Sequence, residues 1–178
     1  MPVLEQRDLL VQFSQGNSDA FAALFRLHQG NVYRWIFRIV RDPAIAEDLT
    51  VETFWRIYRA HARFDPERSF EAWARRIACN AALDHLKSAK PEDELPDNLP
   101  QLPGTDPGIS LEIRERTARA FARLPPKLRI AATLAVIEEQ PHREIAEALG
   151  LSASAVKVRV FRALRLLRKY LKEQGMEP

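Results

Sequence analysis

The chain has 178 residues, 46% of them hydrophobic and 29% charged, and carries a formal net charge of +3. That length and apolar content suit one medium domain or two small ones with real cores. A bilayer span needs about 20 apolar residues and none is present, the start MPVLEQRDLLVQ lacks the basic-then-apolar order of an export signal, and a single cysteine, Cys79, excludes an internal disulfide, so a cytoplasmic protein is expected. His28, His61, His85 and His142 are scattered without ligand-spaced partners, so the sequence gives no support for a metal site.

In chain order, the first 88 residues read as helices with hardly a strand signal. Leu9, Leu10 and Phe13 close a short first helix. Asn17 or Ser18 caps a second carrying Phe21, Leu24, Phe25 and Leu27, and a third follows with Val32, Trp35, Ile36, Ile39 and Val40 at helical spacing. Asp42-Pro43 marks a restart, because Asp caps well and Pro is preorganised for a first turn. The fourth helix should run from Pro43 to about Arg63. Ile45, Leu49, Thr53 and Ile57 can face inward, while Asp48, Glu52, Trp55, Arg56 and Arg59 populate another side. A large aromatic among charges reads either as a protein-docking surface or as an indole packed on a neighbouring helix.

After Phe64-Asp65-Pro66, Ser69 can cap a fifth helix whose inward set is Phe70, Trp73, Ala74, Ile77 and Ala81. A flank of that helix runs Arg76, Asn80, Leu83 and Lys87, spaced by four, three and four, with Arg75 beside it. Such a row either follows a nucleic-acid strand, cations on phosphates and Asn80 on a base edge, or is a solvated helix face.

The next 22 residues, AKPEDELPDNLPQLPGTDPGIS, hold five prolines, two glycines and most of the local acids without apolar periodicity, which predicts a flexible linker. Charge divides along the same lines: residues 1–88 hold 12 basic and 11 acidic residues, 89–112 hold 1 and 6, and 113–178 hold 14 and 7. A near-neutral front, an acidic connector and a basic rear point to two modules with different partners, able to sit apart on one large partner. The connector is either a solvated spacer or an acidic strap, through Glu92, Asp93, Glu94 and Asp97, across the basic surfaces.

The rear module ends in the pattern of a DNA-reading helix-turn-helix. Ile145, Ala146 and Leu149 form the inner side of a short helix, Gly150 can adopt positive φ at its end, and Ser152 can cap the next. From Ala153 to Lys172 there are seven Lys or Arg and no acid. Val156, Val160, Ala163, Leu164, Leu167 and Leu171 form an apolar stripe, opposite Arg162, Arg165 and Lys169 and flanked by Lys157, Arg168 and Arg159. Beyond Lys172 only a short tail is expected, with no large C-terminal domain. No phosphate loop, nucleophile elbow or paired carboxylates appear, and Asp84-His85 point about 100° apart on a helix, so no enzyme is indicated.

Three stretches in this order, DPAIAEDLTVETFWRIYRAHARFDP, FEAWARRIACNAALDHLKS and LPPKLRIAATLAVIEEQPHREIAEALGLSASAVKVRVFRALRLL, resemble the bacterial extracytoplasmic-function (ECF) sigma factors of the sigma-70 family, over roughly residues 8 to 172. The resemblance implies an all-α chain of two small helical domains joined by a flexible linker. Residues 1–88 would be a sigma region 2 bundle, 89–112 the linker and 113–178 a sigma region 4 helix-turn-helix. It implies a clamp-docking set of Asp48, Leu49, Glu52 and Phe54, with Trp55 beside them, for the coiled coil of core RNA polymerase. It implies a minus-ten set of Arg75, Arg76, Asn80, Leu83 and Lys87, and a minus-thirty-five set of Lys157, Val158, Arg159, Phe161, Arg162 and Arg165. The implied partners are core RNA polymerase, promoter DNA and an anti-sigma factor covering both modules, with no cofactor, no small-molecule substrate and no membrane insertion. Val51 stands where the family usually has Gln, Gln140-Pro141-His142 replaces a Gly-containing loop, and Val158 replaces a small polar residue. A one-component regulator binding duplex DNA without polymerase, and a helical adaptor using Trp55 for protein contacts, are the competing classes.

Overall fold

The computed structural model describes residues 3–88 and 111–175, so most of the expected linker, including its acidic strap, lies outside the described residues. Among those described there are only helices: α1 (Val3–Ser14), α2 (Ser18–Val40), α3 (Pro43–Arg59), α4 (Phe70–Ser88), α5 (Leu111–Ala122), α6 (Pro126–Ala132), α7 (His142–Leu149) and α8 (Ala153–Glu173). A 3₁₀ turn spans His61–Arg63 and a π-helical turn spans Thr133–Ile137. α5 begins at Leu111, two residues inside the stretch read as linker.

Local chemistry sets the helix starts. Asn17 Oδ1 accepts from the Asp19 and Ala20 amides at 2.9 and 3.0 Å, Asp42 Oδ1 accepts from Ile45 N at 2.9 Å ahead of Pro43, and Ser69 Oγ accepts from Ala72 N at 3.2 Å. The expected second and third helices are one continuous α2 running through Gly30. Glycine in a helix interior costs about 1 kcal/mol. Leu24, Val32, Trp35 and Ile36, all buried on both sides of Gly30, outweigh that cost. α3 in turn is shorter than expected and gives way to the 3₁₀ turn after Arg59.

The front half, α1 to α4, closes on an aromatic cluster. Phe13 is fully buried and lies 5.6 to 6.3 Å from the rings of Phe21, His61, Phe64, Phe70 and Trp73. The rear half packs α5, α6 and α8 around Ala120, Phe121, Leu124, Ala132, Ala163 and Leu167, with the Arg123 guanidinium 4.1 Å from the Tyr170 ring centroid.

The two halves do not sit apart. Ile39, Cys79 and Ala82 of the front and Ile130, Leu134, Ile145, Val156 and Val160 of the rear form one buried cluster, with α6 and α7 lying against α4. Arg38 pairs with Glu138 across this seam, and Arg129 Nη2 donates to the Val40 carbonyl at 3.2 Å. Linker composition and charge division gave no sign of this packing, because the apolar residues that make it are spread over five helices, each also needed for its own half.

Candidate nucleic-acid interface

The turn between α7 and α8 is built as its residue types require. Gly150 takes φ 63°, the left-handed region where a Cβ is penalised, and Leu151 N donates back to Ala146 O at 2.8 Å. Ser152 Oγ then accepts from Ala155 N at 3.2 Å and starts α8. On α8, Val156, Val160, Ala163 and Leu167 are buried, as the stripe requires, whereas Leu164 is 43% exposed and lies outside it. The remaining surface presents Lys157, Val158, Phe161, Arg162 and Arg165 to solvent, with Arg159 half-buried at its edge. Phe161 is 67% exposed. Among the described residues, no carboxylate pairs with Lys157, Arg159, Arg162 or Arg165, although Arg123 and Lys169 nearer the helix end do pair with Glu173. Uncompensated cations beside exposed apolar groups suit phosphates and thymine methyls together.

On α3, Asp48, Glu52 and Trp55 are exposed, Trp55 at 59%. Its one ring contact among the described residues is with Tyr58 of its own helix, centroids 6.0 Å apart, and most of the indole is open to solvent. Val51 beside it is 67% exposed. Leu49 and Phe54, named with this set from the sequence, are buried; Phe54 stacks edge-on with Phe25 at 4.7 Å. They hold α3 in place from beneath. Arg56 Nη2 bonds Glu52 at 2.6 Å and its Nη1 reaches Asp84 of α4 at 3.2 Å, a bridge that the sequence reading missed. Partial burial works against the Arg56 charge, yet those two carboxylates leave its pKa above the ordinary guanidinium value.

The row on α4 divides in two. Arg76, Asn80 and Lys87 are exposed, Lys87 lying 3.8 Å from Asp84. Arg75 and Leu83 instead face the rear half. Arg75 lies over Trp35 at 4.7 Å, bonds Glu71 at 3.1 Å, and pairs with Glu144 of α7 at 3.7 Å. Its Nε is buried without a hydrogen-bond partner. Leu83 packs against the seam cluster.

Charge is concentrated along the same seam. Burial, with Arg41 nearby, pushes the Arg129 pKa down to about 10, and burial also lowers Arg41, which sits at φ 66° on the end of α2. The Cys79 thiol, fully buried there, is pushed up to about 12. Among the described residues no cluster suits a metal ion, and no helix is long and apolar enough to cross a membrane.

Comparisons with known proteins fit this geometry. Residues 24–92 match Sigma-70 region 2, and residues 114–167 match Sigma-70, region 4. The chain is 30% identical to the ECF RNA polymerase sigma factor SigW of Bacillus subtilis over 91% of its own length and 94% of that protein's. It is 32% identical to the RNA polymerase sigma factor CarQ of Myxococcus xanthus, covering 93% of this chain and 97% of that one. Among solved structures, CnrH in complex with the cytosolic domain of CnrY superposes with a TM-score of 0.66 at 26% identity, over 94% of this chain and 97% of that one. The sigma factor RpoE of Bartonella quintana, solved with the anti-sigma factor NepR, shares the fold at a TM-score of 0.62 and 18% identity, over 85% and 96% of the two chains. A basic helix-turn-helix behind a four-helix bundle, both sigma-70 regions in order, and relatives matched nearly end to end together place this chain in the ECF RNA polymerase sigma factor family.

Proposed function

We propose that this chain is an alternative sigma factor that binds core RNA polymerase through α3, captures the minus-ten element with α4 and reads the minus-thirty-five element with α8. The observation that carries the reading is α8 itself: a capped helix behind a left-handed glycine turn, holding Lys157, Arg162 and Arg165 exposed and unpaired among the described residues. Lys157, Arg159 and Arg165 serve the phosphates, while Arg162, with Val158 and Phe161 beside it, reads base edges and thymine methyls. Trp55, flanked by Asp48 and Glu52, is the anchor for the polymerase clamp, with Leu49 and Phe54 supporting it from the core. On α4, Arg75, Arg76 and Lys87 meet the backbone and Asn80 and Leu83 hold an extruded base. Capture of that base offsets the few kcal/mol of lost stacking and pairing, so melting requires no nucleotide hydrolysis by this chain.

The factor is non-catalytic and works in the cytoplasm, where its polymerase resides. An anti-sigma protein is the proposed regulator; support comes from CnrH, which was solved with the cytosolic domain of CnrY. The test is promoter-directed transcription by core polymerase with and without the purified chain. Specific transcripts that require the chain uphold the reading. Tight duplex binding without any effect on polymerase would favour a one-component regulator, and no salt-dependent DNA affinity at all would favour an adaptor.

A further inference from the structure

At the end of α2 three arginines meet with one carboxylate among them. Arg38 and Arg41 come from the last turn of α2 and its cap, Arg129 from α6, and Glu138 from the end of the π-helical turn. Glu138 is already paired with Arg38. Arg129 Nη2 donates to the Val40 carbonyl at 3.2 Å, which holds its guanidinium beside the backbone of Arg41. Arg41 and Arg129 are each only 9% exposed, yet among the described residues neither is in an ion pair and no acceptor meets the Arg41 guanidinium. Asp42, the next residue, spends its Oδ1 on the Ile45 amide instead.

A buried charge is ordinarily paired, so two such cations side by side are out of balance. Burial, then the charge of Arg38, lower the Arg41 pKa against the pull of Glu138, and burial, then Arg41, bring that of Arg129 down to about 10. Backbone strain gathers at the same place. Arg41 at φ 66° and Glu139 at φ 51° are the two non-glycine residues of positive φ among those described, and Glu139 directly follows Glu138. The nitrogens of Arg41, and those of Arg129 not bonded to Val40, are not sealed from solvent, which leaves an approach for a small ion. None of these four side chains belongs to the sets assigned above to polymerase or promoter.

We propose that Arg41 and Arg129 form a binding site for the phosphate group of a small molecule, gripped between the fork of Arg41 and the remaining donors of Arg129. A carboxylate would balance one of the two charges, whereas a phosphate group, close to doubly charged at neutral pH, balances both and accepts from two forks at once. Exposure of only 9% favours free phosphate or the phosphate end of a metabolite over a nucleic-acid backbone.

The test is calorimetric titration of the full-length protein with inorganic phosphate at matched ionic strength. Saturable binding with a Kd below about 1 mM is expected. Arg41→Met keeps the buried stem and removes the charge: it should weaken phosphate binding at least about ten-fold and, without phosphate, unfold at or above the parent's temperature. Arg129→Lys keeps the charge but loses the fork, and should weaken binding at least about three-fold. Arg162→Ala, on α8, should leave the Kd unchanged. A parent without saturable binding overturns the site, as does an Arg41→Met chain that binds phosphate as tightly as the parent. A phosphate-free Arg41→Met chain that melts well below the parent overturns it too, since the guanidinium would then have a structural role. Equal losses in Arg162→Ala would move the phosphate to α8 and sink the proposal. A nucleoside diphosphate titrated in parallel separates the sources: tighter binding than phosphate, lost in Arg41→Met, upholds a site for a phosphorylated metabolite, and equal or weaker binding upholds a site for free phosphate.

Discussion

Phe54 and Trp55 are adjacent in sequence and opposite in fate, and replacing each by alanine separates folding from docking. Phe54 is 2% exposed and packs on Phe21 and Phe25, so truncating it leaves a cavity and should cost about 3–5 kcal/mol of stability. Trp55 is 59% exposed, and an indole side chain offers up to about 250 Å², which leaves roughly 150 Å² for a partner to cover. At about 25 cal/mol per Å² that area is worth roughly 3–4 kcal/mol before the costs of ordering, so a net loss of about 2 kcal/mol, near 30-fold in Kd, is expected for core polymerase. Urea unfolding should place Trp55→Ala within about 1 kcal/mol of the parent, since most of the side chain already stands in solvent. Fluorescence-anisotropy titration of labelled chain with core polymerase supplies the affinity. Unchanged polymerase binding, or destabilisation matching that of Phe54→Ala, would refute the assignment of this face.

The same substitution should act with opposite signs at two glycines: Gly30→Ala, where an added Cβ meets nothing within 4 Å, should stabilise by about 0.5–1 kcal/mol, and Gly150→Ala, at φ 63°, should destabilise by about 1–2 kcal/mol in thermal or urea unfolding. Arg162→Ala should cost about 1–3 kcal/mol on minus-thirty-five duplex and much less on random DNA, whereas Lys157→Ala should weaken both alike and lower the salt slope by about 1, as filter-binding titrations across salt will measure. Burial holds His28 below its ordinary 6.5, so the unfolded chain binds the proton first: the His28 contribution is complete above pH 6.5 and is lost as pH falls from there towards the folded value. Unfolding midpoints of His28→Gln should therefore decline less than those of the parent over that window.

Where a residue's role depends on its own neighbours in sequence, it was legible. Asp42-Pro43, Ser69, Gly150 and Ser152 each act as their types require, and the buried side of α8 followed from its three-and-four spacing except at Leu164. Helix continuity through Gly30 was not legible, because the decision lies with packing partners on α3 and α4 rather than with propensity. Nor was the divided fate of the α4 row. Arg75 and Arg76 are consecutive and point about 100° apart, and Arg75 differs because Trp35 of α2 and Glu144 of α7 both lie against its flank. The Arg56 bridge to Asp84 spans 28 positions, and the Arg38 pair with Glu138 spans 100, so neither leaves a local mark.

The three tryptophans, Trp35, Trp55 and Trp73, all belong to the front half. Intrinsic emission therefore senses the rear half only through Arg75, which lies over Trp35 and pairs with Glu144 of α7, and melting of α5 to α8 is followed directly by circular dichroism. The gauge is also graded by depth, with Trp55 in water, Trp73 among phenylalanines and Trp35 beneath a guanidinium 4.7 Å from its ring. Selective quenching by iodide should thus dim the Trp55 signal first and leave an emission dominated by the other two.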